Sequence, residues 1–204
     1  MKPEQQDTAQ QSGGYCQAAI MVSSPPLPML RSPWSLRAVR AEGTDLDLVH
    51  GWMQQPHVEA FWHQAWSRDR WANEISEQLA GEHSLPVLVS YENSPLAYAE
   101  LYRVQRDRIA EYYAYGPYDL GIHIAIGEQK RTGQGLGTQM LRVLAEGMLD
   151  ADPGCRRVVA EPDVLNEVSI KAFHAAGFRP AGEVILPDKT AALVVHPRTE
   201  EDML

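Results

Sequence analysis

Tyr118-Asp119-Leu120-Gly121-Ile122-His123-Ile124-Ala125-Ile126 is followed, after a short link, by Arg131-Thr132-Gly133-Gln134-Gly135-Leu136-Gly137-Thr138. Alternation puts Leu120, Ile122, Ile124 and Ile126 on one face of a strand. Gly121, His123 and Ala125 fall on the other. Leu136, Met140, Leu141, Leu144 and Met148 then recur at helical spacing, so a helix to about Leu149 follows the glycines. Glycines between strand and helix let backbone N–H groups converge on an anion, and the helix N-terminus adds positive potential. A phosphate or pyrophosphate is the natural ligand. The plain alternative is a simple turn, but alternating glycines at a helix start are a costly way to build one.

Three phosphate cradles can be compared with this turn. A P-loop needs Gly-Lys-Ser/Thr at its end, and no such Lys follows. A dinucleotide fingerprint counted from Gly133 ends on Thr138 rather than Gly. The acyl-coenzyme A cradle, Gln/Arg-x-x-Gly-x-Gly/Ala, takes Gly135 and Gly137 as its glycines. Its first position is Thr132, with Arg131 one residue early.

Working outward, 35–40 reads as a first strand, and Thr44 as the cap of a helix over 45–53. A second helix is expected over 67–80, stopped by Gly81. Strands at 86–91 and 96–104 are joined by the turn Glu92-Asn93-Ser94-Pro95. A short strand at 156–161 precedes a helix over 166–176 closed by Gly177, and strands at 184–186 and 191–196 end the pattern. The expected order is β-α-α-β-β-β-α-β-α-β-β, an α/β protein with a mixed sheet and helices on both faces. Residues 1–32 read as a polar, flexible tail that can also lie along the domain as an extended arm; five of the 14 prolines fall before residue 34. A single domain is expected over 33–204.

Composition excludes several classes. Eighteen basic against 27 acidic residues give a net charge of -9, unsuited to a nucleic-acid backbone and better matched to a cationic small molecule. Only Cys16 and Cys155 occur, too few for a disulfide framework or a Cys-rich zinc site. His57 and His63 do not form a metal-binding helical pair, and no metal is expected. The start is polar, and no apolar run approaches a membrane span. A cytoplasmic protein that does not engage membranes is therefore expected, as a monomer or homodimer.

The glycine turn is joined by a second motif: Asn166, Ser169, Phe173 and Gly177-Phe178. With it, residues 34–198 resemble the GNAT superfamily of acyl-coenzyme A N-acyltransferases. Four blocks narrow the resemblance: Trp52-Met53-Gln54-Gln55-Pro56-His57-Val58, Glu100-Leu101-Tyr102, Pro117-Tyr118-Asp119-Leu120-Gly121-Ile122-His123 and Glu161-Pro162-Asp163-Val164-Leu165-Asn166. They look like the siderophore branch, which includes the aerobactin-type N-hydroxylysine acetyltransferases and the mycobactin lysine N-acyltransferase. The resemblance implies acetyl-coenzyme A, or another short acyl-coenzyme A, as co-substrate. The acceptor would be the side-chain nitrogen of lysine or ornithine, N-hydroxylated or not. An acyl carrier protein is the alternative donor partner, and an aminoglycoside 6′-N-acetyltransferase the alternative enzyme. A non-catalytic acyl-coenzyme A-binding regulatory domain is the alternative of another class.

Acyl transfer to nitrogen needs a base and stabilisation of a tetrahedral oxyanion. His123 has the right chemistry for the base, and the branch has a proposed catalytic His in the matching place. The alternative is a packed strand histidine. The resemblance implies that Asp163 holds the acceptor nitrogen or accepts its proton. The plain alternative is a cap for the following helix. The resemblance also gives Ile124, Ala125 and Ile126 the oxyanion role and lets Asn166 bond the pantetheine arm. It leaves 131–138 to the pyrophosphate: Arg131, Thr132, Gly133, Gln134, Gly135, Leu136, Gly137 and Thr138. Phe173 stands where many members place a proton-donating Tyr, but a thiol of pKa about 8.5 leaves tolerably without one. The aromatic-rich stretch 52–71 reads as a helical core wall or a substrate-entry wall. In the second case His57, Trp62, Glu100 and Tyr102 surround the acceptor, with Glu100 attracting an ammonium and Tyr102 packing on an aliphatic chain.

Overall fold

The computed structural model describes residues 22–204. Its strands are β1 (Trp34–Ala38), β2 (Ser84–Tyr91), β3 (Ser94–Arg103), β4 (Leu120–Ile126), β5 (Arg157–Ala160), β6 (Arg179–Ile185) and β7 (Thr190–Pro197). Its helices are α1 (Gly43–Met53), α2 (Pro56–Trp62), α3 (Arg68–Ala80), α4 (Leu136–Ala151) and α5 (Glu167–Ala175). The strands form one sheet ordered β1-β2-β3-β4-β5-β7-β6, antiparallel except for the parallel pair β4–β5.

The alternation in β4 sorts the layers as expected. Leu120 and Ile122 are buried against Met140, Leu141, Leu144 and Met148 of α4. On the opposite face Ala125, with Leu88 and Tyr98, packs against Leu46, Val49 and Trp52 of α1 and Trp71 and Ile75 of α3. Burying an aliphatic side chain of this size contributes about 1.5–3 kcal/mol, so these two layers fix which face of β4 each residue takes.

Three local features differ from the sequence reading. Within the aromatic wall of 52–71, 56–62 is a separate short helix absent from the expected element order: Pro56 starts it without losing a hydrogen bond, and His63 ends it in the left-handed region at φ 52°. The hairpin turn is two residues long, with Glu92 at φ 50° and Asn93 at φ 61°, so Ser94 and Pro95 already belong to β3. Thr44 does not cap α1, which begins after extended Glu42 with no side-chain cap.

Residues 1–21 of the expected tail lie outside the described residues. The following stretch lies along the domain. Val22 is buried, and Arg103 donates to the Ser23 carbonyl at 2.8 Å. Leu30 and Pro28 cover Gly147 of α4 so closely that a Cβ there would lie 2.9 Å from Leu30.

Candidate active site

The site begins where the sheet opens. β4 is in register with β3 from Leu120 to Ile126, but with β5 only at Leu120 and Gly121. Beyond that point β4 and β5 part, and a cleft of about 1160 Å³ occupies the gap. At one end it is lined by Gly133, Gly135, Gly137 and Thr138, and at the other by Glu100, His123, Glu161, Asp163 and Trp62.

At the glycine end, Gly133 (φ 70°) and Gly135 (φ 77°) sit in the left-handed region, with open space where a Cβ would be. Gly135 is the N-cap of α4, and no side chain caps the helix, so its first N–H groups face outward. Such a helix start can cradle an anion, with support from the helix dipole. Thr132 also lines the cleft, but not every residue of the turn does. Arg131 donates to the Ser94 hydroxyl at 3.2 Å and the Pro95 carbonyl at 3.1 Å, tying the turn to the β2–β3 hairpin. Gln134 bonds the Lys130 carbonyl at 2.6 Å, and Leu136 packs against the core. These three side chains hold the turn's shape rather than facing the cleft. Ile124, Ala125 and Ile126 line the middle, along the β4 edge that β5 has left.

His123 sits at the opposite end between two carboxylates. Its Nδ1–H donates to Glu100 at 3.2 Å and its Nε2–H to Glu161 at 2.7 Å. Glu161 also accepts from the Tyr102 hydroxyl at 2.8 Å. Glu100 accepts from the Tyr98 hydroxyl at 3.0 Å and from Gln78 at 2.9 Å. Burial disfavours the imidazolium, but the charge of Glu161 and the hydrogen bonds of both carboxylates outweigh it, and the His123 pKa rises to about 10. Burial would raise Glu161, yet the same ion pair and the nearby Lys189 hold it down at about 2. Glu100 is lowered too, with the His123 contacts overcoming its burial. The resting cluster is thus two carboxylates around one imidazolium, one negative charge in excess.

The other expected acceptor contacts divide. Trp62 lines the cleft with its ring edge-on to His123, centroids 6.4 Å apart. His57 lines it as well, its Nε2 bonded to the Ile126 carbonyl at 2.9 Å. Glu100 lines it but is spent on His123. Tyr102 is a correction: at 1% exposure it cannot touch an acceptor. It lies behind His123, rings 4.6 Å apart, in the space Gly121 leaves, where a Cβ would fall 2.0 Å from the Tyr102 ring. Asp163 is in the wall, with Oδ1 accepting from the Leu165 N–H at 2.8 Å. The cap of α5 is Asn166, which accepts from Ser169 N at 3.1 Å. Phe173 is buried against Phe178 and offers no proton.

Glu161 was not singled out by the sequence reading. It stands one residue past β5, directly after the buried apolar run 158–160, where the next position carries a carboxylate that is 3% exposed. A charged residue ending a buried strand is the signal that marks it.

A parting β4–β5 pair, an uncapped glycine turn and a helix behind it define an acyltransferase architecture. The chain belongs to the acetyltransferase (GNAT) domain family, whose model matches residues 42–186. It is an acyl-coenzyme A-dependent N-acyltransferase. It is similar to the lysine N-acyltransferase MbtK of Mycolicibacterium paratuberculosis, 38% identical over 86% of this chain and 79% of that one. It also resembles the N(6)-hydroxylysine O-acetyltransferase of Escherichia coli, 29% identical over 84% of this chain and 54% of that one. Among solved structures, the aminoglycoside acetyltransferase AAC(6′)-Ib bound to acetyl-coenzyme A superposes with a TM-score of 0.73. That match is 25% identical and covers 81% of this chain and 93% of that one. Among the described residues, no helix is long and apolar enough to cross a membrane.

The glycine end carries a direct expectation. Valine at Gly135 places a branched side chain at φ 77° and blocks backbone approach to a pyrophosphate. Calorimetry on folded Gly135→Val should show acetyl-coenzyme A affinity reduced at least tenfold. Unchanged affinity would remove the turn from the donor site.

Proposed function

We propose that this enzyme acylates the terminal side-chain nitrogen of lysine or ornithine, or of their N-hydroxylated forms, in siderophore biosynthesis. The observation that carries the reading is the negatively charged Glu100–His123–Glu161 cluster facing the acyl-coenzyme A cleft. It suits an acceptor whose end is an amine. The similarity to lysine and hydroxylysine acyltransferases supports the acceptor class.

The lone pair of the acceptor nitrogen attacks the thioester carbonyl. The C–N bond forms, the C–S bond breaks with its electron pair on sulfur, and the nitrogen loses a proton. Backbone N–H groups along Ile124–Ile126 stabilise the oxyanion. Asp163, whose second oxygen has no partner among the described residues, holds the acceptor nitrogen. Coenzyme A leaves as thiolate, which needs no proton from position 173.

His123 takes the nitrogen's proton, but in the resting protein it already carries one. It becomes a base only after giving that proton up. That proton passes to solvent; a neutral hydroxylamine then gives its single proton to His123 as it attacks, whereas an ammonium must first lose another proton to solvent before its lone pair is free.

The test is turnover of acetyl-coenzyme A with lysine, N6-hydroxylysine, N5-hydroxyornithine and kanamycin, followed by thiol release. Hydroxylated amino acids should react fastest, because a hydroxylamine arrives neutral and nucleophilic. Faster turnover of kanamycin would replace this reading with the aminoglycoside one, which the likeness to AAC(6′)-Ib supports.

A further inference from the structure

We propose that Lys189 and Arg108, on the cleft lip beyond Glu161, bind the α-carboxylate of an amino-acid acceptor, while Asp188, held by Arg108, takes its α-ammonium. This rests on the acyl-transfer reading above and narrows it. The acceptor carries a carboxylate at the end opposite the reacting nitrogen.

Lys189 immediately precedes β7. The Val164 N–H donates to the Thr190 carbonyl at 3.0 Å and the Ala192 N–H to the Pro162 carbonyl at 2.9 Å. The stretch from Glu161 to Val164 therefore runs beside the start of β7, which brings Lys189 into the lining of the cleft next to Glu161. Its Nζ donates to the Glu161 backbone carbonyl at 2.7 Å. An ammonium has three donors, so two remain.

The charge pairing around the cleft sets Lys189 apart. Lys171 is paired with Glu167 at 2.9 Å. Arg108 is paired with Asp188 through two bonds of 2.6 and 3.1 Å. His123 is held by two carboxylates. Among the described residues that line the cleft, Lys189 alone of the lysines and arginines has no carboxylate within ion-pair distance, in a chain of net charge -9. The Glu161 and Asp188 carboxylates act on this half-buried ammonium only through space, and a ligand carboxylate would give its spare donors a direct acceptor. Arg108 keeps its Nε–H beyond the two nitrogens that Asp188 uses.

The cleft thus carries opposite charges at two depths: an excess negative charge at His123, and Lys189 with the Arg108–Asp188 pair at the lip. A zwitterionic amino acid with its side-chain nitrogen pointing inward matches both. A diamine or an aminoglycoside, cationic throughout, presents like charge to Lys189 and is disfavoured.

The experiment compares kcat/KM for lysine and N6-hydroxylysine with cadaverine and N-hydroxycadaverine, which lack only the carboxylate. A charge-assisted hydrogen bond corresponds to about ten- to a hundredfold, so the native enzyme should prefer the carboxylate-bearing member of each pair by at least that lower figure. Lys189→Met should cut that preference about tenfold, Lys189→Arg should retain most of it, and Arg108→Gln should reduce it. If Lys189 served only to tether the Glu161 carbonyl, Lys189→Met would slow both members of a pair alike and leave the ratio unmoved. An unmoved ratio in an enzyme that acylates lysine or hydroxylysine overturns the lip subsite and leaves the acyl-transfer reading standing. No turnover with any of the four acceptors overturns that reading and the subsite with it.

Discussion

Alanine at His123 is expected to lower kcat about a hundred- to ten-thousandfold with acyl-coenzyme A saturating, the usual contribution of a positioned base. The donor's KM should barely change. The glycine cradle stands at the other end of the cleft, and none of its residues contacts the cluster. The same substitution leaves Glu100 and Glu161 facing each other without the cation that kept both ionised. Their carboxyl pKa values then rise, and the thermal midpoint should fall. Turnover must therefore be measured below that midpoint, on protein shown to be folded. His123→Gln separates the two effects, because its amide still donates to one carboxylate but cannot accept a proton. It should recover part of the stability and none of the rate. A kcat within tenfold of the native enzyme in either variant would assign the proton to water or to another group.

Much of the fold was legible because its signals are local. The alternation of Leu120, Ile122, Ile124 and Ile126 assigned the two faces of β4, and the spacing from Leu136 to Met148 assigned the buried side of α4. Within the wall read over 52–71, the bounds of the helix 56–62 escaped because a helix of two turns buries only Val58 and so shows no periodicity, although Pro56 at its first turn was a usable start signal. The site was legible in part. The glycines and His123 announce themselves by residue type. Glu161 joins His123 only through the pairing of β4 with β5, 38 residues apart in sequence, and no pattern within either strand encodes that contact. Tyr102 failed for the same reason. Its ring was read as an acceptor contact, whereas the bare Cα of Gly121 on the neighbouring strand gives it a place in the core.

Glutamine at Glu161 separates charge from shape at the centre of this arrangement. Glu161 is the foremost group raising His123 to about 10, so removing its charge should bring that pKa down toward the ordinary 6.5. With N6-hydroxylysine as acceptor, the acid limb of kcat/KM reports the free enzyme's base rather than an acceptor ammonium. In the native enzyme that limb should rise through the alkaline range. In Glu161→Gln it should move at least one pH unit lower, with a lower plateau, because a less basic imidazole with one orienting partner is a poorer proton acceptor. An unmoved limb would mean that the titrating group is not His123. Stability should follow the same pair. The raised pKa of His123 contributes stability that is complete below about pH 6.5 and lost as pH rises through about 10. The lowered pKa of Glu161 contributes stability present above its ordinary 4.5 and lost as pH falls toward about 2. Both contributions are complete between roughly pH 4.5 and 6.5, and there the variant should differ most from the native protein. Breaking a buried pair costs about 3–5 kcal/mol. The lower end applies, since a third of the His123 side chain remains accessible while Glu161 is 1% exposed. A thermal midpoint of Glu161→Gln equal to the native value across that window would show that the imidazolium does not depend on Glu161, and the charged resting cluster would have to be abandoned.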